Sequence, residues 1–434
     1  MRVSIALLLC LAGACTGTRT GNPGHNEVPA GVVLAKSELA RDEQPELPSD
    51  KAKTFGADNR GFALALYREL AKEPGNLFFS PYSISSALAM TYAGAKGETA
   101  SEIATALHFR LPQSELHPAF NATDLSLAKR KAELIESSGR EPTKGQGFQL
   151  HVVNQAWGQK GYEFLDGYLD VLAASYGAGM FLIDFGQPEA ARKTINGWVE
   201  DQTAQRIEEL LPEDSIDEDV RLLLTNAIYF KASWLKEFEP SNTKPAMFQT
   251  ATGARSVDMM HAVLDTTYAE VSGYRAVALP YISPSVRMIA VLPPEGKFAD
   301  AAAELDVAIV DGLLEKLSRA FVTLSLPKWR FESESKLKGP LRQLGMNAAF
   351  DPSAADLSGM DGKPGMLYID EVYHKAFVSV DEQGTEAAAA TAVVASRVSA
   401  PPPVTLSFDR PFLFLIYDEP TGHILFLGHL SEPK

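Results

Sequence analysis

The chain has 434 residues, 45% hydrophobic and 22% charged, enough to build a substantial soluble core in one large domain or two to three small ones. Its formal net charge is −15 and it contains no Lys/Arg-rich run. An acidic surface of that kind argues against phosphate binding and against nucleic acid as a partner.

The N-terminus opens with Met1 and Arg2, followed by the apolar run "VSIALLLCLAGA", too short to span a bilayer as a mature helix. The run closes on the small residues Ala12-Gly13-Ala14, a cleavage pattern, so residues 1–14 read as a signal peptide. Leu11-Ala12-Gly13-Ala14-Cys15 resembles a bacterial lipoprotein box with its leucine one place early, in which Cys15 would become the lipidated first residue. The alternative is a plain secretory signal. Either way the protein is expected to be exported, lipid-anchored to the cell envelope or extracellular, and to touch a membrane only through that anchor. Cys10 lies inside the signal and Cys15 is the only other cysteine. The mature chain therefore has no intramolecular disulfide, and its stability rests on packing.

Residues 15–55 are dominated by Gly, Pro, Ser and charges without a sustained period, which predicts a flexible tether, with the folded part spanning 56–434. "NRGFALALYRELAKEPGN" places Phe62, Leu66 and Leu70 at helical spacing and stops at Pro74-Gly75. "SPYSISSALAMTYAGAKGETASEIATALHF" predicts helix, turn, helix, with Ser80 as cap and Pro81 in the first turn. Asn121-Ala122-Thr123 matches a glycosylation acceptor, a motif of low specificity. "TINGWVEDQTAQRIEELL" is a further amphipathic helix. From there strands take over: "VRLLLTNAIYFKASW", "YRAVALPYI", "RMIAVLPPE", "AFVTLSLPKWRF", "VYHKAFVSV" and the closing "FLFLIYDEPTGHILFLGHL". Helices early and strands late, without regular alternation, predict α+β with antiparallel or mixed sheets in a single domain.

Enzyme signatures are absent from the sequence: it has no Gly-x-Gly-x-x-Gly, no P-loop, no His-Glu-x-x-His and no Gly-x-Ser-x-Gly. Eight histidines and two cysteines form no cluster with zinc spacing, so no metal or cofactor is expected. Ser80, Ser83, Asn226 and His374 could form a Ser/His hydrolytic site or, more simply, a buried polar network tying a helix to a sheet.

Several stretches together are similar to the serpin family. Asn76-Leu77-Phe78-Phe79-Ser80-Pro81-Tyr82-Ser83-Ile84 resembles its early segment, and Thr225-Asn226-Ala227-Ile228-Tyr229-Phe230-Lys231 with Trp234 one of its strands. Leu326-Pro327-Lys328 opens a third motif, altered afterwards to Trp329-Arg330-Phe331. His374-Lys375-Ala376 matches the strand before the reactive loop; Arg410-Pro411-Phe412-Leu413-Phe414 and Leu425-Phe426-Leu427-Gly428 match the closing strands. The motifs occur in family order over about residues 56–434. The resemblance implies the serpin fold: three β-sheets, about eight to nine helices and an exposed reactive-centre loop over about 384–403. It implies that Ser80, Ser83, Asn226 and His374 form a hydrogen-bonded "shutter" beneath the central sheet, and that Trp234 sits at the "breach" where insertion starts. It further implies a protein that is no enzyme, a monomeric inhibitor whose partner is a target serine protease, with a cysteine protease as a second class of target.

The loop "DEQGTEAAAATAVVASRVSAPPP" fits that role. A segment that must become a central strand presents alternate residues to the core. From Thr385 one face is Thr385, Ala387, Ala389, Thr391, Val393 and Ala395; the other is Glu386, Ala388, Ala390, Ala392, Val394 and Ser396. Nothing bulky blocks entry before Arg397, and Glu382 and Gly384 complete the hinge, Gly384 supplying freedom of the backbone. A non-inhibitory relative, acting as a binding or carrier protein, would carry bulky, charged or proline residues in the hinge; from Thr385 to Ala390 only Glu386 departs from small and uncharged, and it faces away from the core. The scissile bond follows either Arg397, which suits a trypsin-like pocket, or Val398, with Ser399 beyond it, which suits an elastase- or subtilisin-like pocket.

Overall fold

The computed structural model describes residues 28–130, 147–385 and 404–433. The signal peptide, Cys15, Glu386, Ala387, Ala388, Ala389, Ala390, Arg397, Val398 and Ser399 lie outside the described residues.

Order begins earlier than the expected boundary at 56. Strand β1 (Val33–Ala35) pairs antiparallel with β4 (Met180–Ile183), and helix α1 (Ser49–Leu70) starts at Ser49. Between them Arg41 donates through Nε to Asn121 Oδ1 at 2.8 Å and pairs with Asp124, while Asn121 Nδ2 donates to the Asp42 carbonyl at 2.6 Å. The expected tether is thus corrected over its second half. Its composition lacks a period of its own, and its order comes from a sheet edge and from helix α4 (Gln113–Ala128), which it crosses. Asn121, the glycosylation acceptor by motif, is buried and its carboxamide is consumed by this clasp.

Helix α2 (Pro81–Tyr92) begins as expected: Ser80 caps it by accepting Ser83 N–H, and Pro81 takes the first turn. Helix α3 (Gly97–Ala106) follows. The helix expected over 194–211 spans Pro188–Gln202 instead. Thr203 Oγ1 donates back to the Val199 carbonyl, Ala204 and Gln205 take positive φ, and Asn196 Oδ1 accepts both Leu210 and Leu211 N–H, so the chain folds back against its own helix. Among the described residues eight helices have seven residues or more, and two short ones (Lys338–Gln343, Ser358–Asp361) add to them.

The central sheet has seven strands, in the order β1, β4, β3 (Phe148–Gln159), β5 (Leu222–Ser233), β13 (Gly384–Thr385), β12 (Val372–Val380), β11 (Trp329–Lys336). β3 and β5 are antiparallel, β5 and β12 parallel, β12 and β11 antiparallel. The second sheet has nine strands: β14 (Val404–Ser407), β10 (Ser318–Pro327), β7 (Gly253–Val271), β8 (Tyr274–Pro280), β9 (Val286–Leu292), β15 (Phe412–Asp418), β16 (His423–Leu430) and β2 (Leu77–Phe79), with β6 (Lys244–Thr250) on β7. β7 is 19 residues long and carries this sheet continuously through what the sequence reading expects as two sheets. β16 is buried along its whole length, with Phe426 stacked on Phe78 at 4.9 Å, so the core lies between the sheets with α2 packed into it. The α+β class stands, and no helix among the described residues is long and apolar enough to cross a membrane.

Candidate functional site: a polar row and the hinge above it

The parallel pair β5/β12 places Asn226 directly beside His374, and the antiparallel pair β3/β5 places Asn154 beside Asn226, so three polar side chains form one row across the sheet. Below the row lies the start of α2. Ser80 N–H donates to His374 Nε2 at 3.2 Å, and the ring's Nδ1 faces Asn226 Oδ1. With Nε2 accepting, the proton sits on Nδ1 and is donated to Asn226. Ser80 Oγ donates to the Leu425 carbonyl at 2.6 Å and accepts from Ser83 N–H at 3.1 Å. Ser83 Oγ donates to Asn154 Oδ1 at 3.1 Å and accepts from Asn226 Nδ2 at 2.6 Å. Asn226 Nδ2 also donates to Asn154 Oδ1, and Asn154 Nδ2 to the Ser83 carbonyl.

Ser80, Ser83, Asn226 and His374 are all fully buried, and burial pushes the His374 imidazole down to about 3. Among the described residues no serine hydroxyl is bonded to the imidazole: Ser80 meets it through its backbone N–H. A neutral, sealed histidine without a hydroxyl partner does not have the nucleophile–base geometry of a hydrolase. The cluster ties α2 and β16 to β3, β5 and β12.

Higher up, past Tyr229 and Phe377, β5 and β12 part, and β13 fills the gap. Thr385 pairs with Val380 on one side and Ala232 on the other; Gly384 pairs with Ser233. Residues 381–384 form the turn: Asp381 and Gly384 exchange backbone hydrogen bonds, and Asp381 Oδ1 accepts Gln383 N–H. Burial raises the Asp381 carboxyl above its ordinary value, opposed by those N–H groups. A β-carbon on Gly384 would lie 2.2 Å from the Ala232 carbonyl oxygen, and its φ is +153°, so only glycine fits here.

The turn is held by its surroundings. Trp234 donates through its indole N–H to the Asp381 carbonyl at 3.0 Å and through its backbone to Gln383 at 2.9 Å; Phe238 N–H reaches the Glu382 carbonyl. Glu382 accepts from Thr243 Oγ1 at 2.7 Å and pairs with Lys328 Nζ at 2.9 Å. Burial pushes the Glu382 carboxyl up, yet Lys328 and Thr243 outweigh it and the group ends below its usual range. Thr385 Oγ1 meets Tyr281 OH at 2.8 Å.

The structure brings Ser80, Ser83, Asn226 and His374 into one cluster, and Trp234, Glu382, Gly384 and Thr385 into another. Sequence reasoning missed Asn154, Tyr281 and Thr243, and named Lys328 only within a motif, without a role. Asn154 carried a signal, an amide inside the strand-like run "HVVNQAW"; Thr243 and Tyr281 lie beyond strand ends, with no local pattern to mark them.

A family model described as "Serpin (serine protease inhibitor)" matches residues 57–433. An uncharacterized serpin-like protein of Thermococcus kodakarensis is 36% identical over 436 residues, covering 99% of this chain and 98% of its own. The leukocyte elastase inhibitor of Homo sapiens is 36% identical over 390 residues, covering 86% of this chain and 98% of its own. Among solved structures, the thermophilic serpin tengpin in its native state aligns with a TM-score of 0.77 at 26% identity, covering 92% of this chain and 97% of that one. Serpin48 of the insect Tenebrio molitor gives 0.74 at 28% identity, covering 90% and 100%.

Proposed function

Because the chain belongs to the serpin family, we propose that it is an irreversible suicide-substrate inhibitor of serine proteases. The observation that carries this reading is Thr385, already seated between β5 and β12 as the residue of β13 that pairs with both neighbours. The sequence after it alternates small, uncharged residues on the face that would turn to the core. The target's serine hydroxyl attacks the carbonyl carbon of the scissile bond. That peptide bond breaks, its amine leaves with the proton, and the loop is held as an ester. The freed segment then adds to the sheet below Thr385, gaining backbone hydrogen bonds and burial. To pass, it must part Asn226 from His374, which makes the polar row the natural barrier to premature insertion. The intact protein is accordingly a kinetically trapped state above a more stable inserted one.

The family spacing from Gly384 points to Val398–Ser399, an apolar bait of the kind that the names of the leukocyte elastase inhibitors suggest for those relatives; a loop shorter by one residue points to Arg397–Val398, and both bonds stay open. The test is incubation of the purified protein with trypsin-like, elastase-like and subtilisin-like proteases, followed by a denaturing gel. An SDS-stable complex supports trapping, and plain cleavage by all of them overturns it. The mass of the released C-terminal peptide tells whether it begins at Val398 or Ser399. For the N-terminus we propose lipidation of Cys15, tested by fatty-acid labelling that Cys15→Ser abolishes.

A further inference from the structure

The hinge is held by more than the strand ladder. Tyr281 follows β8 and is fully buried. Its backbone is fixed from both sides: Tyr281 N–H donates to Val286, Ile282 N–H to Ser233, and Leu235 N–H to Pro280. Its ring is stacked on Trp234, centroids 4.7 Å apart and 9° from parallel, and edge-on to Phe230 at 5.1 Å. The phenol is thus a rigid arm with one polar atom, and that atom meets Thr385 Oγ1 at 2.8 Å in a site where Thr385 is 1% exposed. If Thr385 left the sheet, this hydroxyl would face an apolar pocket without its partner, which buried polar groups avoid.

We propose that Tyr281 is a positioning residue for loop insertion: its hydroxyl latches Thr385 into its place in the incoming strand before any protease arrives. Insertion after cleavage then starts from a strand already begun, so the remaining residues zip in without first nucleating entry. Trapping depends on insertion outrunning deacylation, and the latch shifts that competition toward trapping. The inference rests on the inhibitory reading for its consequence but not for its geometry.

The experiment uses Tyr281→Phe, which keeps the ring and its stacking, Thr385→Val, which removes the other hydroxyl, and the double variant. In the protein alone, amide hydrogen exchange across residues 381–385 should quicken by roughly tenfold in each single variant, the size of one net buried hydrogen bond. The double variant should show no further increase, because both changes remove the same bond. With protease, the stoichiometry of inhibition should rise in all three. A purely structural Tyr281 would lower overall stability and leave hinge exchange and stoichiometry alone. Wild-type exchange in Tyr281→Phe, or single effects that add in the double variant, overturns the latch. Absence of any SDS-stable complex with the wild-type protein overturns the inhibitory reading instead, while the exchange measurement still decides the latch.

Discussion

Asn154 stands directly opposite Asn226 in the register of β3 and β5, and both carboxamides converge on Ser83 Oγ. Asn154 Oδ1 is the acceptor for the Ser83 hydroxyl, so Asn154→Ala leaves a buried donor without its partner and Asn226 with one acceptor fewer. The expected loss is about 1–3 kcal/mol of native-state stability. A urea titration followed by tryptophan fluorescence should show a midpoint lowered accordingly. A midpoint equal to wild type would mean that the row does not hold the three strands together.

Acidification should weaken the same cluster. His374 is held down to about 3 by burial, against 6.5 for a free imidazole. Between those values the unfolded chain binds a proton that the native chain refuses. Stability from this group is therefore complete above pH 6.5, falls as pH drops, and stops falling near 3. At pH 5 one such histidine costs about 2 kcal/mol relative to pH 8. His117, His423 and His429, each pushed down to about 4 by burial, act in the same direction. Urea midpoints should hold from pH 8 to about pH 7 and then fall towards pH 5, and His374→Gln should make that slope shallower even though it lowers the midpoint throughout. An unaltered slope in His374→Gln would contradict a neutral buried imidazole.

Much of this architecture is legible in the sequence where local chemistry and tertiary role coincide. Ser80 before Pro81 marks a helix start because the cap is a local bond, and the same serine's backbone then meets His374. β5, β12 and β16 are apolar enough to be read as buried strands because both their faces are covered. What escaped has no local signature. β1 is three residues long and exists by pairing with an edge. The end of helix Pro188–Gln202 is decided by Asn196 capturing Leu210 and Leu211, a contact that helical periodicity does not contain. Tyr281 and Lys328 matter to the hinge through distance in space, and nothing beside them in the chain points to Thr385 or Glu382.

Gly384→Ala should empty the hinge from the sheet. The new methyl would sit 2.2 Å from the Ala232 carbonyl oxygen at a backbone φ of +153°, a conformation that costs an alanine on the order of 1–3 kcal/mol before the clash is added. The turn would leave Trp234, whose indole and backbone both bond it. Expected outcomes are faster amide exchange over 381–385, a shifted tryptophan emission, and a raised stoichiometry of inhibition. Unchanged emission and exchange would show that the gap between β5 and β12 tolerates a β-carbon.

Thr385→Arg makes the sharpest demand on the insertion mechanism. Position 385 is 1% exposed between Val380 and Ala232, with Tyr281 closing it from the side. A guanidinium there would meet the Tyr281 hydroxyl and the ring stacked on Trp234, and taking such a charge out of water costs several kcal/mol. The native body should survive, since the hinge can swing out and leave the arginine in water. Inhibition should not survive, because the cleaved loop must bring that charge into the core to continue past it. The variant is therefore expected to be cut as an ordinary substrate, giving the same C-terminal peptide as wild type but no SDS-stable complex. Thr385→Ser, which keeps the hydroxyl and the size class, should retain the complex. Complex formation by Thr385→Arg at wild-type yield would mean that trapping does not proceed through this position in the sheet.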